Sequence, residues 1–187
     1  METETTTATT TAVAHSVNEL PESLLRCDLG DGLTLRLAEP DEYIAVGRML
    51  YEAFTTNGPM SELYRHRLLD IPERAASEDV WVIVGAGGEL YGACTTVKPA
   101  VNTEPTFEFN TMGVLPKGRG RNLGKAFVEH SIAVGKAYGY RQVLIHSGPN
   151  MPYAHRLYER CGFIRHPELE TWIVDGGQRP LVFVYDI

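Results

Sequence analysis

Alternation and helical spacing divide most of the chain into distinct segments. From Gly32, the run GLTLRLAEP sets Leu33, Leu35 and Leu37 against polar neighbours, a period of two that predicts a strand. Pro40 then opens an amphipathic helix with Asp41 and Glu42 in its first turn, where the helix dipole favours acids. Tyr43, Val46, Leu50 and Phe54 recur on one face of it, and Asn57-Gly58-Pro59 ends it. A second helical stretch is expected over residues 61–76. VWVIVGA, Gly87-Gly88 and LYGACTTV read as a β-hairpin, and TFEFNTMGV as the next strand. The longest helix is expected over residues 121–138, with Leu123, Phe127, Val134 and Ala137 inward and Gly139 as its stop. QVLIHS reads as a short buried strand, MPYAHRLYERCGF as a helix closed by Gly162, and LVFVYDI as a final strand.

The resulting order, β-α-α-β-β-β-α-β-α-β-β, implies a mixed sheet covered by helices, in the α+β class. The opening METETTTATTTA, with seven threonines, offers almost nothing to a core. Residues 1–30 are therefore expected to form a Thr-rich, acidic tail, disordered or loosely attached, although residues 17–25 are apolar enough to dock locally. Residues 31–187 are expected to form a single domain.

A chain of 187 residues, 43% hydrophobic and 22% charged, suits one ordinary globular domain. No run approaches the roughly 20 apolar residues of a membrane span, and no signal-peptide pattern opens the chain, so no membrane partner is expected. Cys27, Cys94 and Cys161 are odd in number and widely spaced. They suggest neither a disulfide framework nor a metal cluster, and a cytoplasmic location is the expectation. The net charge of −7 is concentrated in residues 1–31, where six acids face one base; the remaining body is nearly neutral. Without a domain-wide basic surplus, nucleic acid is not an expected partner.

The segment MGVLPKGRGRNLGKAF carries the most chemistry. A strand ends near Val114, a glycine-containing turn follows, and a helix begins near Arg121. Such a turn lets the backbone approach a ligand, and free amides at a helix start attract anions. Lys117, Arg119, Arg121 and Lys125 add four positive charges. A Walker loop requires Ser or Thr after Gly124-Lys125, and Ala126 stands there. A dinucleotide fingerprint belongs after the first strand of a parallel unit, whereas Gly118, Gly120 and Gly124 lie beyond mid-chain.

The pattern V-x-P-x-x-R-G-x-x-L-G over residues 114–124 resembles motif A of the Gcn5-related N-acetyltransferase superfamily. Downstream, AHRLYERCGF resembles the family's A-x-x-L-Y-x-x-x-G-F helix. The resemblance implies a mixed, mostly antiparallel central sheet of about six to seven strands, with helices on both faces and splayed central strands. It implies acetyl-CoA as cosubstrate, no metal, and an amine-bearing acceptor, either a small molecule or a protein amine; it leaves room for a homodimer. The implied cofactor-binding residues are Met112, Gly113, Val114, Arg119, Gly120, Arg121, Asn122, Leu123, Gly124, Lys125, Asn150 and Tyr158. Asn122 stands where a glycine is usual, and asparagine tolerates positive φ best among the other residues. Asn150 lies one residue further from Ala154 than the commonest spacing.

For the proton steps, the resemblance makes Tyr158 the acid for the leaving thiolate. Glu108, on the strand entering motif A, takes the place of the base, with His146 on the next strand, or a water chain, as the alternative. Glu108 lies between Phe107 and Phe109 and so points to the other face. Cys161, without a cationic partner in the sequence, reads as a packing residue. Tyr51, Phe54 and residues 55–57 lie where the family often shapes its acceptor pocket. A noncatalytic acyl-CoA-binding sensor or regulatory domain of the same fold is the other reading.

Overall fold

The computed structural model describes residues 13–56, 58–174 and 177–187. Eight strands form one sheet in the order β1-β2-β3-β4-β5-β6-β8-β7. They are β1 (Arg26–Gly30), β2 (Leu33–Leu37), β3 (Glu78–Val84), β4 (Leu90–Val97), β5 (Phe107–Val114), β6 (Gln142–Ser147), β7 (Ile164–Arg165) and β8 (Leu181–Asp186). The helices are α1 (Glu22–Leu25), α2 (Tyr43–Thr55), α3 (Glu62–Leu69), α4 (Ile71–Arg74), α5 (Leu123–Ala137) and α6 (Pro152–Arg160). Every neighbouring strand pair is antiparallel except β5–β6. The expected α+β architecture is present, with the short strands β1 and β7 extending the sheet to eight. Among the described residues, no helix is long and apolar enough to cross a membrane.

The sheet separates two apolar layers. Leu35, Trp81, Ile83, Phe107 and Phe109 join Phe127, Val134 and Tyr158 of α5 and α6 in one. Val80, Val82 and Ala93 join Val46, Leu50, Phe54 and Leu68 of α2 and α3 in the other. β3 is buried along its whole length, so VWVIV is apolar on both faces. Helix–sheet contact is close at Gly135, where a Cβ would stand 2.7 Å from the Phe107 ring.

Two expectations are corrected. Residues 13–30 are built into the fold, whereas residues 1–12 lie outside the described residues. Ala14 and Leu20 are buried, Ala14 N–H donates to Ala137 O, and β1 pairs with β2. These apolar positions follow no helical or strand period; contact with α5 and β2 orders them. The helical stretch over residues 61–76 is two helices. Asp70, at φ −90° and ψ 44°, breaks it, and Pro72 removes an amide from the first turn of α4.

Asp79 is buried beneath α5, with the Tyr138 hydroxyl donating to it over 3.4 Å. Burial raises its carboxyl above the ordinary range, against opposing pulls from Lys98 and Tyr138. The folded protein therefore binds this proton more tightly than the unfolded chain, and stability falls as pH rises between the two pKa values. Asp79→Asn is expected to raise the melting temperature at pH 7 by a few degrees. The gain should shrink as pH falls through that window. Thermal melts from pH 4 to 8 check this; a lower melting temperature for the variant at pH 7 would contradict it.

Candidate active site

β5 and β6 pair only through Phe107–Val143 and Glu108–Leu144. Beyond these two registers the strands part, and a cleft of about 140 Å³ opens between them. Thr111 and Met112 line it from β5, His146 and Ser147 from β6, and Tyr158 from α6. Phe54 and Tyr64 reach it from the opposite layer, so the cleft passes through the sheet.

The turn between β5 and α5 follows the cleft-lining strand, and its Arg121 and Asn122 line a second depression with Leu29, Gly30 and Asp31. Gly120 has φ 77° and Asn122 has φ 59°, both left-handed. Asn122 is the N-cap residue of α5, and its side chain makes no cap hydrogen bond. Ala126 N–H is the first to find a helical acceptor, Asn122 O. Among the described residues, the backbone N–H groups of residues 120–125 have no well-formed partner, so several donors and the positive end of a 15-residue helix share one surface. Gly124 lets this turn approach α6: a Cβ there would stand 3.0 Å from Leu157. Gly113 lies under α2, where a Cβ would meet Leu50, Ala53 and Phe54.

The four local cations are held by other groups. Arg119 donates to Thr56 Oγ1 at 2.6 Å and to Ala53 O, tying the turn to the end of α2. Lys117 and Arg121 both lie over the Tyr91 ring, and Arg121 also sits 3.9 Å from Asp31. Lys125 pairs with Glu129, which raises its pKa.

The two candidate bases touch. His146 Nδ1 lies 2.7 Å from Glu108 Oε1. An ionised carboxylate only accepts, so Nδ1 carries the hydrogen and the lone pair of neutral His146 sits on Nε2. The edge of Trp172 packs against the His146 ring at 5.1 Å. Tyr158 is buried among Phe109, Phe163 and Phe183. Burial pushes its phenol well above the usual range; Cys94 and Tyr64 push the same way and Ser147 opposes them. Asn150 is exposed and lines the cleft. The turn that carries it is fixed where His155 Nε2–H donates to Gly148 O at 3.0 Å. Cys161 is partly buried, and burial raises its thiol pKa. Tyr51 packs in the α2 layer, and Asn57 lies outside the described residues.

One feature had no signal in the sequence. Ala93 pairs with Gly113 but Thr95 with Asn110, so Thr111 and Met112 together oppose Cys94 in a β-bulge. Thr111 has φ 50°, a conformation that costs of order 1–3 kcal/mol and that β-branched residues avoid. Its hydroxyl accepts a hydrogen bond from buried Arg74.

The model of the Acetyltransferase (GNAT) family matches residues 44–163. The chain belongs to this family. It is 35% identical over 89 residues to a mycothiol acetyltransferase of Geodermatophilus obscurus, a match over 46% of this chain and 29% of that one. The aligned part thus spans less than a third of that relative. An acetyltransferase of the GNAT family from Staphylococcus aureus Mu50 shares the fold with a TM-score of 0.68 at 11% identity, over 82% of this chain and 98% of that one. A Vibrio cholerae spermidine N-acetyltransferase, solved with CoA and spermine, gives 0.61 at 18% identity, over 84% and 96%. The GNAT match ends at Phe163 and includes the amide turn, the bulge, the Glu108–His146 pair and Tyr158.

The left-handed Asn122 yields a direct test. On the acetyl-CoA reading proposed below, Asn122→Gly is expected to keep CoA affinity within about threefold, since glycine adopts this φ freely. Asn122→Val should weaken it by tenfold or more, because a β-branched side chain resists positive φ. Calorimetric titration of both variants checks this, and equal affinities would refute the role given to the backbone conformation.

Proposed function

We propose that this GNAT-family protein moves the acetyl group of acetyl-CoA to a primary amine by direct attack. The observation that carries the reading is the Glu108–His146 contact at 2.7 Å beside a cleft that Tyr158 also lines. The residues fit the cosubstrate: unpartnered amides over residues 120–125 suit a pyrophosphate, and the parted strands leave room for a thioester arm. Bound acetyl-CoA would supply an activated acyl carbonyl and a thiolate leaving group. The CoA complex of the V. cholerae neighbour supports this, and that protein's name supports an amine acceptor.

A lysine-like amine has a pKa near 10.4, so delivering it neutral at pH 7 costs roughly 4–5 kcal/mol. His146 lines the cleft and Glu108 stands behind it. We therefore assign proton acceptance to His146 Nε2, with Glu108 fixing the tautomer and balancing the imidazolium charge. Attack forms the C–N bond, His146 takes the amine proton, and the C–S bond breaks. Tyr158, kept protonated by burial, donates to the departing sulfur.

Tyr158→Phe should keep CoA affinity and slow transfer by about 10²–10⁴-fold. His146→Gln should lose most at neutral pH and recover towards pH 10, where the amine arrives deprotonated. Glu108→Gln should follow the same trend with a smaller loss, and the double variant should be no worse than His146→Gln alone. Acetyl-CoA-dependent thiol release over a panel of amines, measured against pH, checks all four. An unchanged Tyr158→Phe rate would remove the acid. A loss in Glu108→Gln with His146→Gln intact would make Glu108 the direct base.

A further inference from the structure

The bulge in β5 stands on a buried charge. Arg74 and Glu78 are both almost wholly buried, although neither belongs to the apolar layers around them. Arg74 Nη2 lies 2.6 Å from Glu78 Oε2, 2.8 Å from Thr95 Oγ1 and 2.9 Å from Thr111 Oγ1. Its Nε faces Glu78 Oε1, and its Nη1 donates to Arg67 O. Arg67 approaches Glu78 at 3.6 Å from the exposed side. A buried ion pair of this kind often adds little to stability over an apolar pair of similar size. Its geometry here is more specific than a stabilising role needs. The two hydrogens of Nη2 are shared among the Glu78 carboxylate and the hydroxyls of two strands, and one of these hydroxyls belongs to the residue held at positive φ.

We propose that Arg74 is a positioning residue for acyl transfer, holding Thr111 in its left-handed conformation so that the β5 bulge keeps its shape at the cleft. Thr111 on its own would relax toward the extended region, restoring ladder pairing with β4 and turning the backbone at residues 111–112 away from the opening. The hydrogen bond from Arg74, anchored by Glu78 and Thr95, opposes that relaxation. The role in transfer rests on the acetyltransferase reading above; the bracing of Thr111 does not.

The test uses the full chain and four proteins: wild type, Arg74→Met with Glu78→Gln, Thr111→Gly, and the triple variant. The paired substitution leaves no lone buried charge, so folding is preserved and a melt within a few degrees of wild type confirms it. In that variant kcat should fall by about tenfold to a hundredfold, as expected for a displacement of about 1 Å at the reacting centre, while CoA affinity stays within about threefold. Amide hydrogen exchange at Thr111 and Met112 should quicken or slow selectively. Glycine accepts φ 50° without strain, so in the Thr111→Gly background the same paired substitution should cost fivefold less or better. Equal losses of kcat in both backgrounds, or unchanged exchange at residues 111–112 in an active wild-type background, would overturn the brace. A wild type that binds no CoA and releases no thiol with any amine would instead overturn the acetyltransferase reading, and the exchange data would still decide the bracing of Thr111.

Discussion

Two parallel strands joined through only two residue pairs govern the rest of this structure. If β5 and β6 stayed paired along their length, their amides would satisfy one another and the sheet would be closed. Parting after Glu108–Leu144 turns the middle of the sheet into an opening. The Asn150 turn and α6, which follow β6, line that opening, and the amide turn and α5, which follow β5, pack against α6. Gly124 against Leu157 brings those two helices into contact.

Charge is distributed unevenly around that opening. Lys125 is paired with Glu129, whereas Arg119 and Lys117 contact only neutral groups and keep their charge to attract an anion; the unpartnered backbone amides and the helix dipole add to that attraction. These donors are fixed in place and lose no rotamer freedom on binding. The titratable groups are divided by layer. The phenol of Tyr158 is enclosed by aromatic rings, while Glu108 and His146 stay partly open to solvent.

Much of this was legible locally. The VWVIV hairpin strand, the faces of α2 and α5, and the glycine turn are all written in short-range pattern. So was the left-handed turn at Asn122, because asparagine is the residue after glycine that most readily takes positive φ. The relation between Glu108 and His146 was not legible: each was identified separately as a base, and only the register of β5 on β6 brings them together. Thr111 was hidden for the opposite reason, since a β-branched residue argues against the conformation it adopts. Arg74 falls within the helical stretch expected over residues 61–76, where nothing in the local pattern marks it for burial; it is buried in the separate helix α4 that begins after Asp70.

The edges of the sheet bear on how the molecule meets its neighbours. One edge is β1, interrupted by a bulge between Asp28 and Gly30, and the other is β7, of two residues. Where β7 leaves β8 uncovered, the Glu170 carboxylate accepts the Val182 N–H and His166 N–H donates to Val182 O. Arg165 holds that carboxylate in place. The outward backbone groups of Val182 are therefore already occupied, and the strand at the other rim is short and irregular. An eight-stranded sheet opened through its centre thus ends at both rims in short strands, one of them irregular, which offer little regular backbone for a longer sheet to build on.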